Sequence, residues 1–326
     1  MPLSEFDLIA RYFAPLAGPG GLGLTDDAAC ITPPPNHDLV ITKDMLIAGV
    51  HFFPDDPPGA IAQKALRVNL SDLAAKGARP LGFLLGLGLP KSTPEAFIAA
   101  FAQGLAEDAR EFACPLLGGD TVSAPALTLS ITAFGAVPTG RMVKRQGGMP
   151  GDALYVTGTI GDAALGLQLR LNPEAAWAKA LPEPHHEALR ARYLMPQPRL
   201  ALAPVLIRHA SAAMDISDGL VGDCDKLAAH LGRSMEIAAV PLSEAARAAI
   251  ALDPALRDIA LTGGDDYELL IAVPPATTTP FADEAARAGI GFKKIGVLTA
   301  KTGKNLWREA DGAVHAFASR SYIHTL

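Results

Sequence analysis

Apolar residues along this chain follow two periods, and the change from one to the other marks out the elements. In GAIAQKALRVNLSDLAAKGARP, Ile61, Ala65, Val68, Asp72 and Ala75 recur in steps of four and three. That spacing predicts a helix, closed by Gly77 and Pro80, with Asp72 inside its apolar stripe. LGFLLGLGL, residues 81 to 89, is an unbroken apolar run between two prolines and predicts a buried strand. In ALTLSITAFGAV, Leu127, Leu129 and Ile131 alternate with Thr128, Ser130 and Thr132, the period of a strand with one covered face. Between these strands Phe97, Phe101, Leu105, Ala109 and Phe112 predict a helix, opened by the capping pattern Ser92 to Glu95. A docked N-terminal helix follows from the cap-like Ser4 and Asp7, with Phe6, Ile9, Ala10 and Phe13 on one face. Leu39, Val40 and Ile41 predict a short strand that runs out at Asp44.

From 138 to 152, PTGRMVKRQGGMPGD carries glycine, proline and basic residues with no apolar period. The reading therefore gives a first domain over 1–138, a linker over 139–152 and a second domain over 153–326. The second half resumes with the strand ALYVTG, a helix from about 162 to 171 and a polar helical stretch over 173–198. It continues through SAAMDISDGLVGDCDKLAAHLG and MEIAAVPL, then LTGGDDYELLIAV as strand, turn and strand. Both halves mix helix and strand, so the fold class is α/β in two domains.

Composition narrows the function. The 326 residues are 49% hydrophobic and 19% charged, with a formal net charge of −6, a globular chain without the basic surface that nucleic acid requires. Three scattered cysteines, Cys30, Cys114 and Cys224, give neither a disulfide framework nor a zinc pattern. The N-terminus lacks a basic region followed by an apolar one, and the longest apolar run is too short to span a bilayer. A cytoplasmic protein without membrane or nucleic-acid partners is expected. GPGGLG at 18–23 precedes a strand instead of following one, and LTAKTGKN has leucine at the first glycine position of a phosphate-binding loop. Adjacent His185 and His186 point about 100° apart on a helix and read as a charged, exposed surface.

What remains is a set of aspartates: Asp26 and Asp27, Asp44, Asp72, Asp120, Asp215 and Asp218, Asp265 and Asp266, most of them read at strand ends or glycine turns. Singly, each reads as a turn or cap residue. Together, on an acidic protein, they call for divalent cations, and donor oxygens without cysteine or histidine suit Mg²⁺. Such ions bridging phosphates to carboxylates is the chemistry of phosphoryl transfer without a Walker loop.

The fragments EFDLIARYF, TDDAACI, TKDMLIAGVHF, VNLSDLAAKGARP, LLGGDTV, GRMVKRQGGMPGD, DISDGLVGD and GGDDYELL, in this order and spacing, resemble the thiamine-monophosphate kinase family over nearly the whole chain. The resemblance implies an aminoimidazole ribonucleotide synthetase-like fold, its N-terminal sheet pairing with its twin in a homodimer. It implies ATP-dependent phosphorylation of thiamine monophosphate to thiamine diphosphate, with several Mg²⁺ ions and no covalent nucleophile. Asp27, Asp44, Asp72, Asp120 and Asp215 match the family's metal ligands, Thr42 and Lys43 flank them, and Asp218 matches a ligand to a further ion. Gly119, Asp120, Arg145 and Ser217 match its ATP contacts; His51 and Asp265 match its substrate end, where Tyr322 is the nearest aromatic to the position that Ser319 takes. The ions would sit among the Asp26–Asp27 turn and aspartates from both domains. Departures from the family pattern are Lys43 for threonine, Asp265 for glutamate and Ser319 for an aromatic. Another ATP-using enzyme of the superfamily and a non-catalytic Mg-nucleotide-binding regulator are the alternatives.

Overall fold

The computed structural model describes residues 5–309 and 311–321, and its chain divides into two compact units. The first takes residues up to Leu73 and Ala78–Met142; the second takes Ala74–Gly77 and everything from Val143 on.

The first unit runs α1 (Glu5–Leu8), β1 (His37–Ile47), α2 (Pro58–Ala75), β2 (Arg79–Leu89), α3 (Glu95–Glu111), β3 (Leu116–Ser123) and β4 (Thr128–Pro138). The strands form one sheet in the order β1-β4-β2-β3, antiparallel except for the parallel β2–β3 pair. Leu129, Ile131 and Ala133 of β4 and Phe83, Leu85 and Leu87 of β2 are buried on one face. Leu73 of α2 packs on that side, its Cδ2 3.1 Å from where a Cβ on Gly135 would stand. α2 is buried on nearly every side, its polar Lys64, Arg67, Asn69 and Ser71 included. It meets α3 through Gly59 and Gly104, where a Cβ on Gly104 would lie 2.5 Å from the Gly59 Cα. The same helices share a buried bidentate pair, Arg67 donating to Asp108 at 2.6 and 2.8 Å.

The second unit contains β5 (Ala153–Thr157), α4 (Asp162–Leu171), α5 (Ala176–Ala180), α6 (Glu183–Leu194), α7 (Ala203–His209), β6 (Ala212–Ile216), α8 (Leu220–Leu231) and β7 (Ser234–Ile237). It continues with α9 (Glu244–Leu252), α10 (Leu256–Thr262), β8 (Glu268–Val273), α11 (Thr278–Arg287), β9 (Phe292–Thr299), β10 (Leu306–Arg308) and β11 (Val314–His315). The sheet order is β11-β10-β7-β9-β5-β8-β6. Leu154 and Val156 of β5 enter one core with Leu220, Cys224 and Leu227 of α8, while Ala153 and Tyr155 enter another with Leu206 of α7 and Phe281 of α11. Both sheet faces are thus covered, which is why β5, β6 and β8 read as continuous apolar runs. Among the described residues, no helix is long and apolar enough to cross a membrane.

Several expectations change. The N-terminal helix passes into a π-helix at Ile9–Phe13, which rotates the face: Phe6 is 82% exposed while Leu8 and Phe13 are buried. Ser4 lies outside the described residues. β1 does not stop at Asp44 but continues to Ile47, because Asp44, Met45 and Leu46 keep pairing with β4. Asp120 likewise lies within β3, not in a turn. α3 starts after Pro94 with no side-chain cap, and Glu95 instead accepts from Arg11 and Tyr12, both at 2.6 Å. Leu261 and Thr262 end a helix rather than forming a strand. His186 is half-buried against the Ala178 carbonyl, 2.6 Å away.

Candidate functional site: carboxylates on two sheets

The open face of the first unit's sheet, opposite α2, holds a cavity of about 650 Å³ lined by Asp26, Asp27, Gly119, Asp120, Ser130 and Thr132, among others. Register explains its floor. Gly86 of β2 pairs with Ser130 on one side and Asp120 on the other, so no side chain fills the space between them. Gly119 has no alternative: a Cβ there would stand 1.9 Å from the Leu85 carbonyl oxygen. The turn leading in bends through Leu22 and Gly23, both at positive φ, and Asp26 Oδ1 accepts the Asp27 N–H at 2.7 Å. Lys43 also projects from this face, and its Nζ donates to Ser130 Oγ.

Strand alternation sends Thr42 and Asp44 to the other face, with buried Val40 and Leu46. There Thr42 Oγ1 donates to Asp72 Oδ2 of α2. Burial, and then the neighbouring Asp72 carboxylate, pushes Asp44 up to about 6. The residues predicted in the first unit therefore fall into two sets: Asp27, Gly119 and Asp120 at the cavity, and Thr42, Asp44 and Asp72 beneath the sheet. Among the described residues none of Asp26, Asp27, Asp44, Asp72 and Asp120 forms an ion pair, and no group of three or more His, Cys, Asp or Glu is poised to hold a metal. An oxygen-only donor set that forms no ion pair suits a hard dication such as Mg²⁺. His51 follows β1, and its Nδ1 accepts the Ile47 N–H at 3.1 Å, leaving the ring proton on Nε2.

In the second unit two loops run side by side. Asp215 ends buried in β6; Ser217 and Asp218 follow it before α8. The Asp265 N–H donates to the Ser217 carbonyl at 2.9 Å and the Tyr267 N–H to that of Ile216 at 2.8 Å, so Ser217 and Asp265 are brought together. Gly264 permits this approach, since a Cβ there would lie 2.2 Å from the Ser217 oxygen. Asp265 itself is left-handed, at φ 74°. Arg145 is half-buried and, among the described residues, makes no hydrogen bond or ion pair. Ser319 is exposed, and Tyr322 lies outside the described residues.

Sequence reasoning counted Asp266 among the aspartates that call for a cation and passed over Glu268, and both are structural. Asp266 is fully buried and caps α4, accepting the N–H of Gly161 at 2.7 Å and of Ala163 at 3.3 Å; burial holds it well above the usual carboxylate range. Glu268, also fully buried, accepts Arg192 at 2.7 Å, Arg199 Nε at 2.7 Å and Thr157 at 2.6 Å. The visible signal was an acid at the head of an apolar run, with one arginine in the polar helix α6 and another just after it. Asp218 accepts Lys226 Nζ.

Comparison with known proteins places the whole chain. The model for the N-terminal domain of AIR synthase related proteins matches residues 25–137, and that for their C-terminal domain matches residues 149–308. Thiamine-monophosphate kinase from Caulobacter vibrioides is 42% identical over 90% of this chain and 84% of its own length. The crystal structure of thiamine-monophosphate kinase from Stenotrophomonas maltophilia superposes with a TM-score of 0.80 at 37% identity, covering 90% of this chain and 91% of that one. A structure described as AaThiL complexed with AMPPCP and TMP gives a TM-score of 0.77 at 30% identity, covering 99% of both chains.

Proposed function

Since the chain belongs to the thiamine-monophosphate kinase family of AIR synthase related proteins, we propose that it transfers the γ-phosphoryl group of ATP to thiamine monophosphate, giving thiamine diphosphate and ADP. The acceptor is a phosphate oxygen of the substrate, already anionic at neutral pH, so attack needs no general base. A bond forms between that oxygen and the γ-phosphorus while the bond to the β,γ-bridging oxygen breaks, and ADP carries the charge away. With both partners anionic, the barrier is electrostatic, and positioning plus neutralisation supplies the catalysis.

The observation that carries this reading is that Asp27, Asp44, Asp72 and Asp120 form no ion pair among the described residues, in a chain similar along its length to kinases of this name. Asp27, Asp44, Asp72, Asp120, Asp215 and Asp218 would hold Mg²⁺, with Thr42 and Lys43 beside them. Bound Mg²⁺ would bridge and neutralise phosphate oxygens. Arg145 suits a polyphosphate, and Gly119 and Ser217 offer backbone to ATP. His51 and Asp265 serve the thiamine end, with Tyr322 beyond them. Transfer is direct, with the aspartates committed to metal rather than to a phosphoenzyme.

The same reading makes the protein a cytoplasmic homodimer. Leu39, Ile41 and Met45 of the edge strand β1 are 41%, 60% and 51% exposed on the open sheet face, an apolar strip that a second copy would cover. A monomeric mass at micromolar concentration would remove this part. For the activity, ADP release is measured with ATP and Mg²⁺, with and without thiamine monophosphate, and the product is weighed. Release only with thiamine monophosphate, with a mass gain of one phosphoryl group, is expected. Release with another acceptor alone would favour a different superfamily enzyme, and binding without turnover a regulator.

A further inference from the structure

Asp223, on the first turn of α8, divides its carboxylate between two tasks. Oδ2 accepts the backbone N–H groups of both Ser217 and Asp218, each at 3.0 Å, and Oδ1 accepts Lys226 Nζ at 3.0 Å. The same Nζ donates to Asp218 Oδ2, so one ammonium bridges the two carboxylates. Asp223 is fully buried, whereas Lys226 and Asp218 reach solvent. The loop is held from a third side: Ser321 Oγ donates to the Asp218 carbonyl at 3.2 Å, and Arg320 grips Asp225 of α8 at 2.5 and 2.9 Å. Gly222 allows that docking, since a Cβ there would stand 2.5 Å from Ser321.

We propose that Asp223 and Lys226 are positioning residues for the proposed kinase reaction: Asp223 fixes the backbone of Ser217 and Asp218, and Lys226 occupies the Asp218 carboxylate until a divalent ion displaces it. This rests on the function proposed above. A lysine already neutralising Asp218 opposes a cation at the same oxygen, so the ion at Asp218 binds more weakly than an unopposed carboxylate would allow. The loop does not collapse when that ion leaves, because the lysine takes its place.

Lys226→Met separates the two roles, for it leaves the Asp223 backbone anchor intact. Mn²⁺ binding to the full-length protein with a non-hydrolysable ATP analogue, measured by calorimetry, should tighten by about fivefold. The Mg²⁺ concentration for half-maximal activity should fall in step, with KM for ATP at saturating Mg²⁺ within about twofold. Asp223→Asn should speed amide hydrogen exchange at Ser217 and Asp218 and raise KM for ATP by about tenfold, while the rest of α8 keeps its protection. Asn retains an oxygen for the amides but turns an N–H toward Lys226, so Asp223→Asn combined with Lys226→Met should recover part of the exchange protection. Mn²⁺ affinity unchanged or weakened in Lys226→Met would overturn the competitive role. Normal exchange at both amides in a folded Asp223→Asn protein would overturn the anchor. If wild-type protein fails to phosphorylate thiamine monophosphate, the functional reading falls, while the exchange and Mn²⁺ measurements still decide the two roles.

Discussion

Two acidic sites in this molecule are built in opposite ways. Glu268 is buried in the second unit and fully answered from within, by two arginines and a threonine hydroxyl. Asp44 of β1 and Asp72 of α2 in the first unit repel each other, with the Thr42 hydroxyl donating to Asp72 and neither acid in an ion pair among the described residues. The first unit is able to supply an arginine, as the buried Arg67–Asp108 pair shows. Acids left without a cation, beside acids that are neutralised from within, are what the proposed Mg²⁺ sites require.

The sharpest way to break this contrast is to neutralise proposed metal ligands. Asp72→Asn and Asp215→Asn should each take turnover to background while the melting temperature in EDTA stays near wild type, since a neutral amide is a poor ligand for Mg²⁺. Either variant working normally at saturating Mg²⁺ removes that residue from the proposed ligand set. Glu268→Gln should do the converse. It strands Arg192 and Arg199 beside a neutral acceptor and should cost about 3 to 5 kcal/mol of stability, read from denaturant unfolding. Purified in folded form, it should keep its Mg²⁺ requirement.

Asp44 sharpens the comparison through pH. Its carboxyl is raised to about 6, so the folded protein binds a proton more tightly there than the unfolded chain does. Stability of the metal-free protein therefore falls as pH climbs from about 4 to about 6 and stays reduced above that. Asp44→Asn lacks this loss. In EDTA its melting temperature should match wild type near pH 4 and exceed it at pH 7, whereas saturating Mg²⁺ should close the gap from the wild-type side. A gap that does not change with pH would mean that the Asp44 proton is not coupled to folding.

The sequence exposed these features unevenly. α2 and β4 were legible because period and burial agree: α2 carries its stripe and β4 alternates against a single covered face. The aspartates stood out by accumulation, yet their backbone setting was misread. Asp44 and Asp120 sit inside strands, because pairing with β4 and β2 carries each strand past an acid that local propensity treats as a stop. The supports were illegible for a different reason. Glu268 meets Arg192 and Arg199 from 76 and 69 residues away, and no local pattern encodes such a meeting. Asp223 lay within a quoted motif, but its task is backbone hydrogen bonding, which residue type alone does not announce.

Asp265 offers the smallest expected effect and sets a condition on its own test. At φ 74° it occupies the left-handed region, which aspartate and asparagine tolerate and alanine resists. Asp265→Ala would therefore combine backbone strain with loss of the carboxylate, and a lowered melting temperature would say nothing about substrate. Asp265→Asn keeps the conformation and the N–H bond to the Ser217 carbonyl while removing only the charge. If the carboxylate meets the thiamine end, this variant should raise KM for thiamine monophosphate by about fivefold, the loss of one partly exposed charged hydrogen bond. KM for ATP should stay within about twofold, with kcat little changed, because binding common to ground and transition states is what is lost. Asp265→Glu adds about 1.5 Å of reach and should shift the same constant alone. The ribbon through Ser217 makes the alternative equally definite. Should Asp265 act only through its backbone, Asn will leave both Michaelis constants untouched, and the substrate end of the proposed site then loses this residue.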